Sequence, residues 1–247
     1  MQKHIIITAL LFAIFLTGCR NEDPYYLVQD NDEKIIHIQS NKNDKAESST
    51  PMVTHPNSIP ALVNKDYALP ENYKPKDLVY PDVPFLFDEK IEKRMMRKQA
   101  AYALEELFQA AEKDGVHLAG VSAYRSHTTQ KDVFEKNVEK DGYEIAATYS
   151  AFPGTSEHET GLAVDISGIS GKCATIDCFG DTKESAWLSN HAHEQGYIIR
   201  YPKGKQAITG YKYEPWHLRY VGKSVASEIT NKGITLEEYT NAVPVTN

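Results

Sequence analysis

"TSEHETGLAVDIS", residues 155–167, is the stretch from which the fold can be read. Leu162, Val164 and Ile166 alternate with other residues, the period-two pattern of a strand with one face in a core. The same stretch carries His158 at its head and Asp165 within the strand, with Gly161 between them. A core strand needs neither an imidazole nor a carboxylate. Two candidate ligands still do not make a metal site, because a catalytic zinc takes three protein ligands and keeps one position open.

Working outward, residues 88–114 show helical spacing at Ile91, Met95, Leu104, Leu107, Phe108 and Ala111, with Asp88 as a cap and Gly115 as a stop. "VHLAGVSAY", 116–124, reads as a strand, and Ser126 is placed to cap a helix running to about Lys140 and ended by Gly142. A further strand covers 161–167. "DTKESAWLSNHAHEQG", 181–196, opens with Asp181 and Glu184 in capping-box spacing and closes at Gly196. "YIIRY" and "YKYEPWHLRYV" read as two strands joined by the turn-rich "PKGKQAITG", and one or two helices cover 223–243. Helices come first and strands cluster late, so the pattern predicts an α+β fold rather than a doubly wound sheet. Trp187 and Tyr197 are expected in the core.

The two ends of the composition differ. The chain has 247 residues, 41% hydrophobic and 25% charged, the make-up of one or two globular domains. A formal charge of -7 gives no sign of a nucleic-acid partner. Residues 5–18, "IIITALLFAIFLTG", follow Lys3 as a short apolar run that suits a secretory signal better than a membrane span. "LTGC" then resembles a bacterial lipobox, which implies removal of residues 1–18 and acylation of Cys19. The expectation is a lipid-anchored protein outside the cytoplasm. Residues 19–60 are polar and read as a disordered tether, about 35 Å from end to end. Residues 61–87, rich in proline and aromatics, read as an extended segment lying on the domain at 88–247. Cys173 and Cys178 remain. In an oxidising compartment a disulfide between them is favoured over a pair of zinc ligands, since His191 and His193 diverge on a helix.

His217 stands out among the nine histidines because it lies in "YEPWHLRY" with Glu214 three residues before it. A zinc site needs a carboxylate outside the ligand set to move the proton of the attacking water. Pro215 interrupts regular strand pairing between the two, which would let both side chains turn to one pocket. Other hydrolase patterns are missing. No serine has a lysine three positions later, and "HETGL" and "HEQGY" lack the second histidine of H-E-x-x-H.

"SEHETGLAVD" matches S-x-H-x-x-G-x-A-x-D and "EPWH" matches E-x-W-H. Together with "SAYRSHTTQ" at 122–130 and "WLSNHAHEQGYIIRYP" at 187–202, these resemble the VanY/LdcB-type D-alanyl carboxypeptidases, relatives of the VanX dipeptidases, lysostaphin-like enzymes and the Hedgehog domain. The resemblance covers roughly residues 88–225. It implies a small antiparallel sheet packed with helices and one Zn²⁺ on that sheet, held by His158, Asp165 and His217, with Glu214 as base. Arg125, Gln130 and Ser156 are implied to line the substrate site, Arg125 either at the oxyanion or on the terminal carboxylate. Trp216 is a further candidate there. The implied activity is release of C-terminal D-alanine from peptidoglycan stem peptides by a monomer. L,D-carboxypeptidase action on tetrapeptides is slightly favoured over D,D action on pentapeptides. The alternative is a non-catalytic, zinc-containing wall-binding module.

Overall fold

A computed structural model describes residues 26–29, 35–38, 51–71 and 73–241. The expectations for the leader 1–18 and for Cys19 lie outside the described residues. In chain order the strands are β1 (Tyr26–Gln29), β2 (Ile35–Ile38), β3 (Leu78–Val79), β4 (Met96–Arg97), β5 (Leu118–Ser122), β6 (Ala163–Gly168), β7 (Tyr197–Tyr201) and β8 (Glu214–Tyr220). The helices are α1 (Lys98–Lys113), α2 (His127–Asp141), α3 (Tyr143–Ala146), α4 (Lys183–His191), α5 (Gln206–Thr209), α6 (Lys223–Lys232) and α7 (Leu236–Tyr239). The fold is α+β, built on a four-stranded antiparallel sheet in the order β5-β6-β8-β7.

The alternation in β6 does what its pattern implies. Leu162, Val164 and Ile166 are fully buried, and they join Leu218, Tyr197 and Tyr220 from β8 and β7 in the main core. Helix α1 covers that face with Ala100, Leu104, Leu107, Phe108 and Ala111. Trp187 and Tyr197 are both core residues, each with its polar atom bonded: Trp187 Nε1 donates to Asp114 at 2.8 Å and Tyr197 Oη to the Ala100 carbonyl at 2.6 Å.

Several boundaries differ from the sequence expectation. The first helix begins at Lys98, not at 88, and Asp88 caps nothing. Residues 91–97 are kept out of the α-helix by long-range hydrogen bonds, and only Glu92–Arg94 make a short 3-10 turn. The Lys93 and Met95 carbonyls accept from Ala123 and Tyr124, Arg97 N–H donates to the Gly161 carbonyl, and Met96 pairs with Val79. Helix α4 is capped by Thr182, whose hydroxyl accepts from Ser185 N–H, rather than by an Asp181–Glu184 box, and it passes into a 3-10 turn over Ala192–Gln195. The capping box occurs instead at Thr235 and Glu238 of α7.

The segment expected as a tether carries packed chain from residue 51 onward. Val53 is buried with Ala61, Val63 and Leu69 in a small cluster of their own, because apolar residues spaced through this stretch find one another on the surface of the domain. Further upstream, β1 and β2 pair antiparallel, Tyr26 against Ile38. Residues 61–87 run across the domain, and Phe85 lies over Gly120, where a Cβ would meet its ring at 2.6 Å. Cys173 and Cys178 are joined in a disulfide, which removes both from any metal role. Among the described residues no helix is long and apolar enough to cross a membrane.

Candidate active site

The face of the sheet opposite the core carries polar groups because strand parity places them there. Asp165 of β6 stands directly opposite His217 of β8, so the two side chains rise together from neighbouring strands. Ser122 of β5 flanks Asp165 on its other side. His158 arrives from outside the sheet, on a 3-10 turn over Glu157–Thr160 that ends at Gly161. Gly161 has φ +68, the left-handed region that glycine enters without steric cost.

Regular pairing that sets Ile199 against Leu218 would set Tyr201 against Trp216. Instead Tyr201 faces Glu214. β8 therefore carries extra residues around Pro215, and the irregularity brings Glu214 onto the His217 side, with Oε2 3.8 Å from His217 Nδ1.

Ligand atoms of His158, Asp165 and His217 all lie within 4.8 Å of one another, and all three residues are buried. His158 Nε2 is 3.4 Å from Asp165 Oδ2, and His217 Nδ1 is 3.1 Å from Asp165 Oδ1. The imidazoles stand perpendicular with centroids 4.9 Å apart. The other nitrogen of His158, Nδ1, sits 2.6 Å from the Ala123 carbonyl. That acceptor requires a proton on Nδ1 and leaves the Nε2 lone pair aimed at the cluster. Tyr201 packs on the His217 ring at 5.0 Å and holds it in place.

The electrostatics of this cluster favour an added positive charge. Burial opposes protonation of His217, yet the hydrogen bond and charge of Asp165, with the neighbouring acids Glu157 and Glu214, outweigh it and hold that pKa up at about 9. Burial alone would raise Asp165, but His158 and His217 keep its carboxyl well below the usual carboxylate range. Burial, aided by Arg125, lowers His158 to about 4, so its imidazole stays neutral as a ligand must be. Two imidazoles and one carboxylate with this geometry fit a zinc ion in a three-ligand site. Glu214 behaves differently from Asp165: burial pushes its carboxyl up to about 7, with His217 acting in the opposite sense.

These groups open onto a cleft of about 840 Å³. Arg125 reaches it from the loop after β5. Its Nη2 donates to Asp165 Oδ2 at 3.3 Å and its Nη1 to Gln130 Oε1 at 3.0 Å. Gln130 is buried behind Arg125 and donates to the Ala151 carbonyl at 2.7 Å, so its visible work is to hold the guanidinium. Ser156 and Trp216 both line the cleft, Ser156 buried in its wall and Trp216 half-buried with one side against the core. The disulfide loop contributes Ile176 and Asp177 to the rim.

Several residues at the site were not anticipated. Glu157, Arg200 and Arg219 form a buried ionic network under His217. Arg219 carried a usable signal: it lies two positions after His217, hence on the same face of β8. Glu157 opens a four-residue 3-10 turn, too short for any periodicity to speak for burial.

A family model described as VanY, D-alanyl-D-alanine carboxypeptidase, matches residues 93–223. The protein named YodJ in Bacillus subtilis (strain 168) is 49% identical over 209 residues, covering 85% of this chain and 77% of that one. The structure of the LdcB LD-carboxypeptidase, described in terms of peptidoglycan recognition, aligns at a TM-score of 0.75 and 50% identity, over 82% of this chain and 94% of that one. The vancomycin-resistance D,D-pentapeptidase VanY, solved as a variant in complex with Zn(II), aligns at 0.59 and 34% identity, over 73% of this chain and 98% of that one.

Proposed function

The chain belongs to the VanY family of D-alanyl-D-alanine carboxypeptidases, and from that premise we propose that it is a zinc enzyme releasing C-terminal D-alanine from peptidoglycan stem peptides. The observation that carries this reading is the convergence of His158, Asp165 and His217 to within 4.8 Å, with the Glu214 carboxylate beside them. These three side chains would hold a single Zn²⁺, whose contribution is Lewis acidity and a water acidified to a pKa of about 7.

Glu214 is the base. It accepts the proton of the attacking water and returns it to the departing D-alanine amine. Its burial favours the neutral acid, so the proton is held readily between the two transfers. Arg125 stands over Asp165, at the edge of the ligand cluster. That position favours its stabilising the oxyanion over its gripping the terminal carboxylate. Gln130 keeps the guanidinium aimed there, while Ser156 and Trp216 bound the peptide in the cleft.

L,D action on tetrapeptides is the preferred specificity. Its support is the greater likeness to the LdcB LD-carboxypeptidase than to the D,D-pentapeptidase, in both identity and TM-score. Purified tetrapeptide and pentapeptide muropeptides, digested separately and read by mass, test it. Loss of D-alanine from the tetrapeptide is expected. Cleavage of the pentapeptide alone would reverse the assignment, and no D-alanine from either would favour the wall-binding module.

We further propose that the protein works as a monomer, outside the cytoplasm and anchored by lipid on Cys19. The lipobox-like "LTGC" and the Cys173–Cys178 disulfide, a bond of oxidising compartments, support this location. Labelling of growing cells with a tagged fatty acid should mark the parent protein and not a Cys19→Ala variant, and an unlabelled parent would overturn the anchor.

A further inference from the structure

Beneath the ligand cluster lies a set of charges that the hydrolytic scheme leaves unused. Glu157, Arg200, Arg219 and Glu237 are essentially inaccessible to solvent. Glu157 Oε1 accepts from Arg200 Nε at 2.7 Å and from Arg219 Nη1 at 2.6 Å. Arg200 also donates to both oxygens of Glu237 on α7, at 2.9 and 2.6 Å, and Glu237 Oε1 accepts from Asn64 at 3.1 Å. Arg219 Nη2 donates to the Ile59 and Ala61 carbonyls at 2.9 and 2.7 Å. Desolvating four charges offsets much of what their attraction returns, so stability alone is a weak reason for such a network.

The network is incomplete on one side, the side facing His217. Glu157 Oε2 is buried without a hydrogen-bond partner among the described residues, and so is His217 Nε2. They face each other at 3.6 Å, long for a hydrogen bond but within a small side-chain adjustment of one. The opposite nitrogen of His217, Nδ1, points at Asp165. We infer that Glu157 is a positioning residue for His217: clamped at Oε1 by Arg200 and Arg219, it takes the Nε2–H through Oε2 and so presents the Nδ1 lone pair to the metal. This rests on the zinc site proposed above. His158 and His217 then ligate through different nitrogens, each fixed by the acceptor behind it, the Ala123 carbonyl for one and the Glu157 carboxylate for the other. A carboxylate behind a metal-bound imidazole sets its tautomer and raises its basicity.

Two measurements decide the matter. In the zinc-loaded protein, long-range proton–nitrogen NMR of the imidazoles is expected to show His217 protonated at Nε2 and His158 protonated at Nδ1. This needs no variant, so misfolding cannot obscure it. A proton on His217 Nδ1 overturns the inference while leaving the zinc site standing. Failure of the protein to bind zinc overturns both. In the second measurement, zinc affinity is read by chelator competition in Glu157→Gln and Glu237→Gln. Each removes one negative charge from the same network, but only Glu157 faces the ligand. Affinity should fall about 10- to 100-fold in Glu157→Gln and remain close to the parental value in Glu237→Gln. Equal losses in both variants would mean that the network acts on the fold alone, and parental affinity in Glu157→Gln would exclude the positioning role.

Discussion

Glu214 and Asp165 are both buried acids on one face of one sheet, and their surroundings drive them apart. Asp165 lies between two imidazoles and is held ionised. Glu214 has a single imidazole at 3.8 Å and is pushed towards the neutral form. One is therefore suited to be a ligand and the other to exchange protons. Glu214→Gln removes the proton acceptor and leaves the ligand cluster intact. Its zinc content should match the parent, while kcat for D-alanine release should fall by about 10²- to 10⁴-fold. Unchanged turnover on muropeptides would transfer the base to another group. At this scale the sequence was highly legible: His158, Asp165, Glu214, His217 and Arg125 all reach one place. Glu157 was not legible, although it is the immediate neighbour of His158. Its burial is created by two arginines from strands more than forty residues away, and no local pattern reports that.

Elements show where local rules held and where distant contacts overrode them. Gly161 ends the turn that delivers His158, and its φ of +68 leaves a side chain strained whatever the space. A Cβ there would also come within 2.9 Å of Leu78 Cδ2 and 3.0 Å of Arg97 Cγ. Gly161→Ala is expected to cost about 1–3 kcal/mol in urea unfolding and to weaken zinc binding, since His158 moves with the turn. A variant with parental stability would mean that the turn relaxes without strain. The capping box of α7 has a pH signature. Glu238 Oε2 accepts from Thr235 N–H at 2.8 Å, and both oxygens accept from Lys205 Nζ at 3.1 Å. Burial alone would raise this carboxyl, but these hydrogen bonds and the Lys205 charge outweigh it and hold it below its ordinary value. A group depressed on folding stabilises above its unfolded value and loses that contribution as pH falls through the folded one. Glu238→Gln should therefore lower stability at pH 7 by about 0.5 kcal/mol, a small effect because solvent screens the pair. The difference from the parent should vanish at pH values below the carboxylate range. A gap that persists in acid would assign the effect to packing. The start of α1 at Lys98 departs from the sequence pattern for a related reason. Residues 91–97 have helical spacing, but their backbone groups bond to β3, to the Gly161 loop and to the chain after β5 instead.

On the scale of the whole molecule, the three candidate ligands come from a 3-10 turn and two strands separated by up to 59 residues of sequence, 158 to 217. Metal binding at this cluster would therefore draw on the folded state and not on any local peptide. Zinc at 1,000 times its dissociation constant is expected to stabilise the fold by about 4 kcal/mol, read as a rise in Tm that a chelator reverses. Activity should disappear on chelation and return with zinc. A Tm indifferent to zinc, or full activity after exhaustive chelation, would place the chemistry elsewhere. The chain by itself determined its α+β class, the residues of the candidate metal cluster with Glu214 beside them, and the presence of strands within 161–167 and 211–221. Each depends on residue type and short spacing, which a linear pattern carries. The tertiary structure decided the register that sets Asp165 against His217, the irregularity at Pro215 that turns Glu214 inward, and the arginine-clamped Glu157 behind the second imidazole. Those features depend on which strand lies beside which, and pairing between distant segments is settled by burial of the common core rather than by any one of them alone.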